Sequence, residues 1–425
     1  MKAAIAIALA MAFTLMPAST TNEEPAHEFL DADVIDPPMW PTEPPVTKTL
    51  MMSSNALYNE WVSEEQLDLG IVSPGLVLEG IAHDMRAPGH KAFLRDGEGY
   101  IEEIDTGFLG TYIVWNKDVP ELQGRATISP LMFDLRIPTA TGIITVQLDY
   151  RGEQNGELRP YDVRITEMPA APNLAMNAAS PVDFLGLGDE QSLLPYLEDT
   201  VPIIIPGTNR DQPGVGLTAQ AIVDSDYEYY NEDRQLVWQR QATQMSLAEQ
   251  VYVDDINLAW ALKEQWAWVK SGKPSNEVDC TDLKSTWKTH WKNHHDSTNR
   301  DFVVFLAQRD LESETSGKSN AGCAPLGGIT SMTNHAYGMV EAGKTSSYTN
   351  DRIRWAIAHE VGHLYQGHHD AYDYDSSEGY TVMYKSIPFS KWDNFSDGSN
   401  YQANEWRIRT CAEDPDSTCS GMSAP

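Results

Sequence analysis

The stretch HEVGHLYQGHHD, residues 359–370, holds four histidines and one glutamate at spacings that chemistry can use. His359 and His363 are four residues apart. On a helix they project from one face, one turn apart, and two imidazole nitrogens so placed can bind one cation, at about 2.0–2.1 Å for zinc. Glu360, beside the first of them, can reach a metal-activated water as general base without coordinating the metal. Together these residues fit metal-assisted hydrolysis. Two histidines and a glutamate in this register arise by chance in about one or two chains of this length per hundred, and a further histidine ten residues after the first cuts that by a factor of about 40. His369 occupies that position. The pattern therefore reads as one catalytic Zn2+ held by His359, His363 and His369 rather than as a solvated, histidine-rich helix end.

Other candidates are weaker. Glu378 becomes the third ligand if a later carboxylate completes the site instead of His369, and His368 is its immediate neighbour. His290, His294 and His295 have helical spacing, but no carboxylate completes a site, so a solvated face is the better reading than a second metal. No residue pattern supports Ca2+.

The elements that must carry these side chains are partly legible. SSYTNDRIRWAIAHEVGHLYQG reads as a helix capped from Ser347 or Thr349 and stopped at Gly367, which takes a left-handed turn freely. Leu247, Val251, Leu258 and Leu262 predict a helix over 244–263, and CTDLKSTWKTHWKNHH predicts another. FVVFLA, Phe302 to Ala307, is a short apolar run expected of a strand covered on both faces. AIVDSDYEYYN gives a strand and turn. Helices alternating with strands predict an α/β (α+β) catalytic-type domain over 205–425.

Upstream, residues 20–167 read as a β-rich N-terminal domain after a polar, proline-rich leader. Ile144, Val146, Leu148 and Tyr150 alternate with polar residues, and Asn155-Gly156 turns the chain into a second alternating run. This half gathers no cluster of His, Cys and carboxylates, so it predicts no chemistry of its own. Residues 168–204, opening with the Ala/Pro/Asn-rich MPAAPNLAMNAASP, read as a linker exposed to proteases. The phrase FLGLGD, 184–189, reads as a plain loop.

Residues 1–19 read as a signal peptide, with one lysine before an apolar run too short to span a bilayer, so the chain is predicted to be secreted with no membrane span. Lys+Arg 30 against Asp+Glu 62 gives −32, a surface that repels nucleic acid and anionic lipid. Four cysteines, Cys280, Cys323, Cys411 and Cys419, favour two disulfides in an exported chain, with three pairings open. None precedes Cys280, so an N-terminal thiolate cannot latch the metal. The sequence gives no reading of oligomeric state.

HExxH with His369 at the tenth position, then Asp370, resembles the metzincin zinc endopeptidases, and most closely their reprolysin (adamalysin-like) branch. YTVMYKSIPFS resembles the methionine turn that lies beneath the metal in that family, which makes Met383 its methionine, and Phe389-Ser390 resemble the serine-containing segment after it. DFVVFLAQRDL and GCAPLGGITSM resemble the central strand and the substrate-binding edge strand, so the resemblance implies that Gly322, Ala324 and Gly327 border an extended protein or peptide substrate. The similarity runs over about residues 215–400 and is sharp in 354–370 and 381–390. Two positions depart from the family: Gln366 stands where it keeps glycine, with Gly367 one residue later, and Lys385 stands where two other branches place a ligand tyrosine, with Tyr384 one residue early. The place of residues 20 to about 200 in the chain matches the pro-segments of such enzymes.

Two functions of different class fit. One is a secreted zinc endopeptidase that acts through a metal-activated water. The other is an exported, non-catalytic zinc-binding or surface-interaction protein on a peptidase-like fold. A metal site kept for stability has no use for Glu360, which favours the enzyme.

Overall fold

The computed structural model describes residues 46–167, apart from 97–98, 140–141, 150–152 and 154, and then 217–232, 234, 236–256, 258–269, 279–295, 300–308, 311, 322–324, 336–342, 350–365, 367, 382–383 and 411. The expected signal peptide, the 168–204 linker, Tyr150 and the capping candidates Ser347 and Thr349 lie outside these residues.

The N-terminal half is built from β1 (Val46–Met52), α1 (Ser54–Glu64), β2 (Gln66–Asp68), β3 (Val77–Ala82), β4 (Arg86–Asp96), β5 (Gly99–Ile104), β6 (Thr111–Asn116), β7 (Val119–Ile128), β8 (Phe133–Thr139), β9 (Gly142–Leu148) and β10 (Arg159–Glu167). Eight of these strands form a sheet in the order β1-β10-β9-β8-β7-β6-β3-β2, every neighbouring pair antiparallel. The predicted hairpin is its β9–β10 pair, with Ile144, Val146 and Leu148 opposite Ile165, Val163 and Tyr161. Gly156, at φ +64°, supplies the left-handed residue of its turn. Ser53 caps α1 by accepting from the Ala56 N–H, and α1 buries Trp61 in the core of this sheet.

β4 and β5 do not join that sheet. They extend a second, seven-stranded one in the order β14-β15-β13-β11-β12-β4-β5. Its other strands are β11 (Leu217–Ser225), β12 (Leu258–Trp268), β13 (Phe302–Ala307), β14 (Gly322–Cys323) and β15 (Tyr337–Glu341). β13 is buried at every position and sits between parallel β11 and β15, as its unbroken apolar run predicts. Between these strands run α2 (Tyr227–Glu232), α3 (Val237–Ile256), α4 (Cys280–His295) and α5 (Asn350–Leu364). α3 and α5 cover one face of the sheet and α4 the other, each over its own apolar core.

Two expectations change. The helix expected over 244–263 ends at Ile256, and Leu258 and Leu262 belong to β12. Leu258, Trp260 and Leu262 alternate as in a strand and enter one apolar core, Trp266 and Trp268 enter the other past a register shift between Leu262 and Glu264, and pairing with β11 decides it. His290 lies on no solvated face. It is buried, its ring 4.8 Å from that of Trp268, because α4 packs this side against the aromatic core under β12. The side chains of His294 and His295 lie outside the described residues.

Candidate active site

Every residue of α5 from Ile353, and Tyr365 beyond it, is buried, which is how a helix with apolar residues on all sides comes to lie inside a domain. His359 and His363 project from it one turn apart. His359 Nδ1 lies 2.7 Å from the Val382 carbonyl oxygen, and His363 Nδ1 lies 2.7 Å from that of Gly367. A carbonyl can only accept, so both Nδ1 atoms carry the proton and the unprotonated nitrogens of the neutral rings are the Nε2 atoms. These face each other at 3.0 Å. Two lone pairs converging at that distance repel unless a cation lies against both, and the backbone bonds that fix the tautomers are those a metal-binding histidine requires. The pair therefore fits a zinc ion. Among the described residues no group of three His, Cys or carboxylate side chains assembles; His368, His369, Asp370 and Glu378 lie outside them.

What orients the two rings comes from the same helix and from elsewhere in the chain. Trp355 stacks on His359, ring centroids 4.7 Å apart and planes 30° apart. Its place four residues before His359 was a readable signal, since Trp355, His359 and His363 share one helix face. Tyr252 of α3 donates from its hydroxyl to the Ala358 carbonyl at 2.6 Å, pinning α5 one residue before the first histidine. Met383 is fully buried beneath the helix, and a Cβ on Gly362 would collide with its Sδ. The methionine and both histidines are thus brought together.

The end of α5 differs from expectation. Gly367 is not in the left-handed region. Its N–H bonds the Gly362 carbonyl at 2.8 Å, five residues back, which is the outer bond of a Schellman closure. Glycine is needed there for close approach instead: a Cβ would lie 2.8 Å from the Gly362 oxygen and 3.1 Å from Met383 Cε. Gln366 lies outside the described residues.

Glu360 is buried, and neither of its carboxylate oxygens has a hydrogen-bond partner among the described residues. Burial pushes its carboxyl up from 4.5 to about 8, against the weaker opposing pull of Lys284. The carboxylate lies against β14, where a Cβ on Gly322 would come within 2.8 Å of Glu360 Oε1 and 2.6 Å of the Met339 oxygen. Gly322 and Cys323 pair antiparallel with Val340 and Met339, and among the described residues no strand pairs with the other side of β14. Ala324 follows, buried in the main core. Gly327 lies outside the described residues. A disulfide ties Cys323 to Cys280 at the start of α4, anchoring this short strand; Cys411 is also disulfide-bonded.

Residues 238–370, from the start of α3 to Asp370, match the family model described as Metallo-peptidase family M12B Reprolysin-like. Over that span the chain is similar to reprolysin-like metallopeptidases. The matched span contains both oriented histidines, Glu360 and the edge strand, and the β-rich half lies outside it. Among solved structures the chain is similar to metalloproteinase-II from Bacteroides fragilis, at 12% identity and TM-score 0.40, covering 79% of this chain and 87% of that one. A likeness so remote bears on no residue here. No curated protein sequence matches the chain at a significant level.

Proposed function

We propose that the chain is a secreted, zinc-dependent endopeptidase. The observation that carries this is the pair of Nε2 atoms 3.0 Å apart, each ring held by a backbone carbonyl behind it, on the helix of a reprolysin-like segment. His359 and His363 hold the metal, with His369 as third ligand by its spacing and the aspartate that follows. Zinc supplies, when bound, Lewis acidity toward a substrate carbonyl and toward water.

The remaining work falls to the chain. Glu360 accepts a proton from water on one carboxylate oxygen and returns it to the departing amine. No hydrogen-bond donor among the described residues competes for those oxygens. β14 offers a strand edge that is unpaired among the described residues, beside Glu360, along which an extended peptide can pair main chain to main chain and present its carbonyl without a sequence requirement. Met383 fills the space under the helix and keeps the two imidazoles at their height. A cut between residues 168 and 216 is the proposed activation event, motivated by the Ala/Pro-rich stretch there. Residues 1–19 are the proposed export signal, and among the described residues no helix is long and apolar enough to cross a membrane.

Metal analysis and casein cleavage by the wild type and by Glu360→Gln test the reading. The expected result is about one zinc in each protein and a loss of several orders of magnitude in activity in the variant. Zinc without cleavage in either protein favours the non-catalytic alternative, and equal activity in both removes Glu360 from the mechanism. For the third ligand, His369→Ala should lose zinc severely while His368→Ala keeps it.

A further inference from the structure

The N-terminal half is fastened into the peptidase sheet at places that a cut in 168–216 would not touch. β4 pairs in parallel with the outer edge of β12, Lys91 to Arg95 opposite Glu264 to Trp268. The Leu262 N–H bonds the Met85 carbonyl at 2.6 Å and the Val269 N–H bonds that of Arg95 at 2.9 Å. From β4, Arg95 enters the core under the sheet. It is fully buried, it bonds the Asp224 carboxylate of β11, and its guanidinium lies 4.3 Å from the ring centre of Trp268. The same Asp224 oxygen accepts from Trp287 Nε1 at 2.6 Å and Trp291 Nε1 at 3.0 Å on α4. On the other face of the sheet, Glu249 of α3 takes the ring of His83 at 2.7 Å and the Trp260 N–H at 2.8 Å, both inside the protein. Gln250 of α3 donates to the Gln123 carbonyl of β7 at 3.0 Å, and Thr243 meets Thr127 at 2.6 Å. Met85, Ala92 and Leu109 belong to the apolar core that holds α5.

We propose that this joint is permanent: a chain cut within 168–216 keeps its N-terminal fragment as a non-covalent partner, locked into the peptidase sheet by β4 and Arg95. Departure of β4–β5 would strip Asp224 of the cation it bonds in a dry core, open the edge of β12 and expose Met85, Ala92 and Leu109. A buried carboxylate without its cation and a bare strand edge are both strongly disfavoured. The proposal stands independently of the peptidase reading, since it concerns the sheet and not the metal.

The test uses the full chain with the recognition sequence of a sequence-specific protease placed within 168–216. After complete cutting, both fragments should elute together at the mass of the uncut chain and separate only in denaturant. Fragments that elute apart in native buffer overturn the proposal. In the cut protein, Arg95→Met should release its N-terminal fragment at least tenfold faster; release at the wild-type rate overturns the assignment of the lock to Arg95. Should that variant fail to fold, hydrogen exchange on the cut wild type decides. The amides of Leu262 and Val269 must stay protected, and exchange at the rate of open amides refutes the joint.

Discussion

Replacing Glu360 by glutamine should make the metal-free protein more stable as well as inactive, by an amount that grows with pH. The carboxyl is buried, without a hydrogen-bond partner among the described residues, and its pKa is raised from 4.5 to about 8. Between those values the folded chain holds a proton that the unfolded chain has lost, so the stability of the wild type falls as pH rises through that window. Each pH unit is worth about 1.4 kcal/mol, so the loss reaches roughly 3 kcal/mol at pH 7 and levels off near roughly 5 kcal/mol above pH 8. Glutamine carries no charge to desolvate and is nearly the same shape.

Chelated wild type and Glu360→Gln should therefore unfold alike near pH 4.5 and separate steadily in urea midpoint up to about pH 8, with the variant the more stable. Parallel stability profiles across this range would refute the reasoning, because they would mean that the carboxylate is solvated or paired in the folded chain. Activity of the zinc-loaded variant is a separate measurement and does not bear on this one.

Gly322→Ala places a methyl within 2.6 Å of the Met339 oxygen and 2.8 Å of Glu360 Oε1; it should lower kcat/KM roughly 10- to 100-fold at unchanged zinc content, checked by steady-state kinetics beside metal analysis. Cys280→Ser with Cys323→Ser opens a loop of 43 residues and should cost roughly 4 kcal/mol by chain entropy, seen as a fall in denaturation midpoint relative to the wild type under non-reducing conditions. His90, on β4, is held by burial at about 4 against its ordinary 6.5, with Gln265 accepting from its ring at 3.1 Å. The unfolded chain takes up that proton first as pH falls, so stability drops from about pH 6.5 toward 4, and His90→Gln should flatten that limb in acid denaturation.

The parts of this protein written locally were legible. Histidines four residues apart on a helix, a strand with no polar position in Phe302–Ala307 and a turn at Asn155-Gly156 each follow from rules that act within a few residues. The errors arise where distant segments decide. Leu258 and Leu262 satisfy a helical and a strand period equally, and only β11 makes the second one win. His290 has the spacing of a solvated face and is covered by Trp268. That β4 would leave its own half to pair with a strand about 170 residues later has no local signature, nor does the meeting of Arg95 with Asp224. Gly367 could be recognised as special, but whether for its turn or for lack of a side chain depended on Met383 beneath it.

Glu360 and β14 show why a costly residue can persist beside its neighbours. A general base works by its affinity for a proton, and every hydrogen bond given to the carboxylate would lower that affinity. The wall beside the carboxylate is a strand of two residues, too short to hold its place by pairing alone. Glycine at 322 lets its backbone close on the carboxylate, and the Cys280–Cys323 bond fastens the next residue to a helix on the far side of the sheet. On the proposed mechanism, the missing side chain and the added crosslink answer one requirement. The strand must lie against Glu360 while offering its outer edge to a substrate, and pairing alone could not hold so short a segment there.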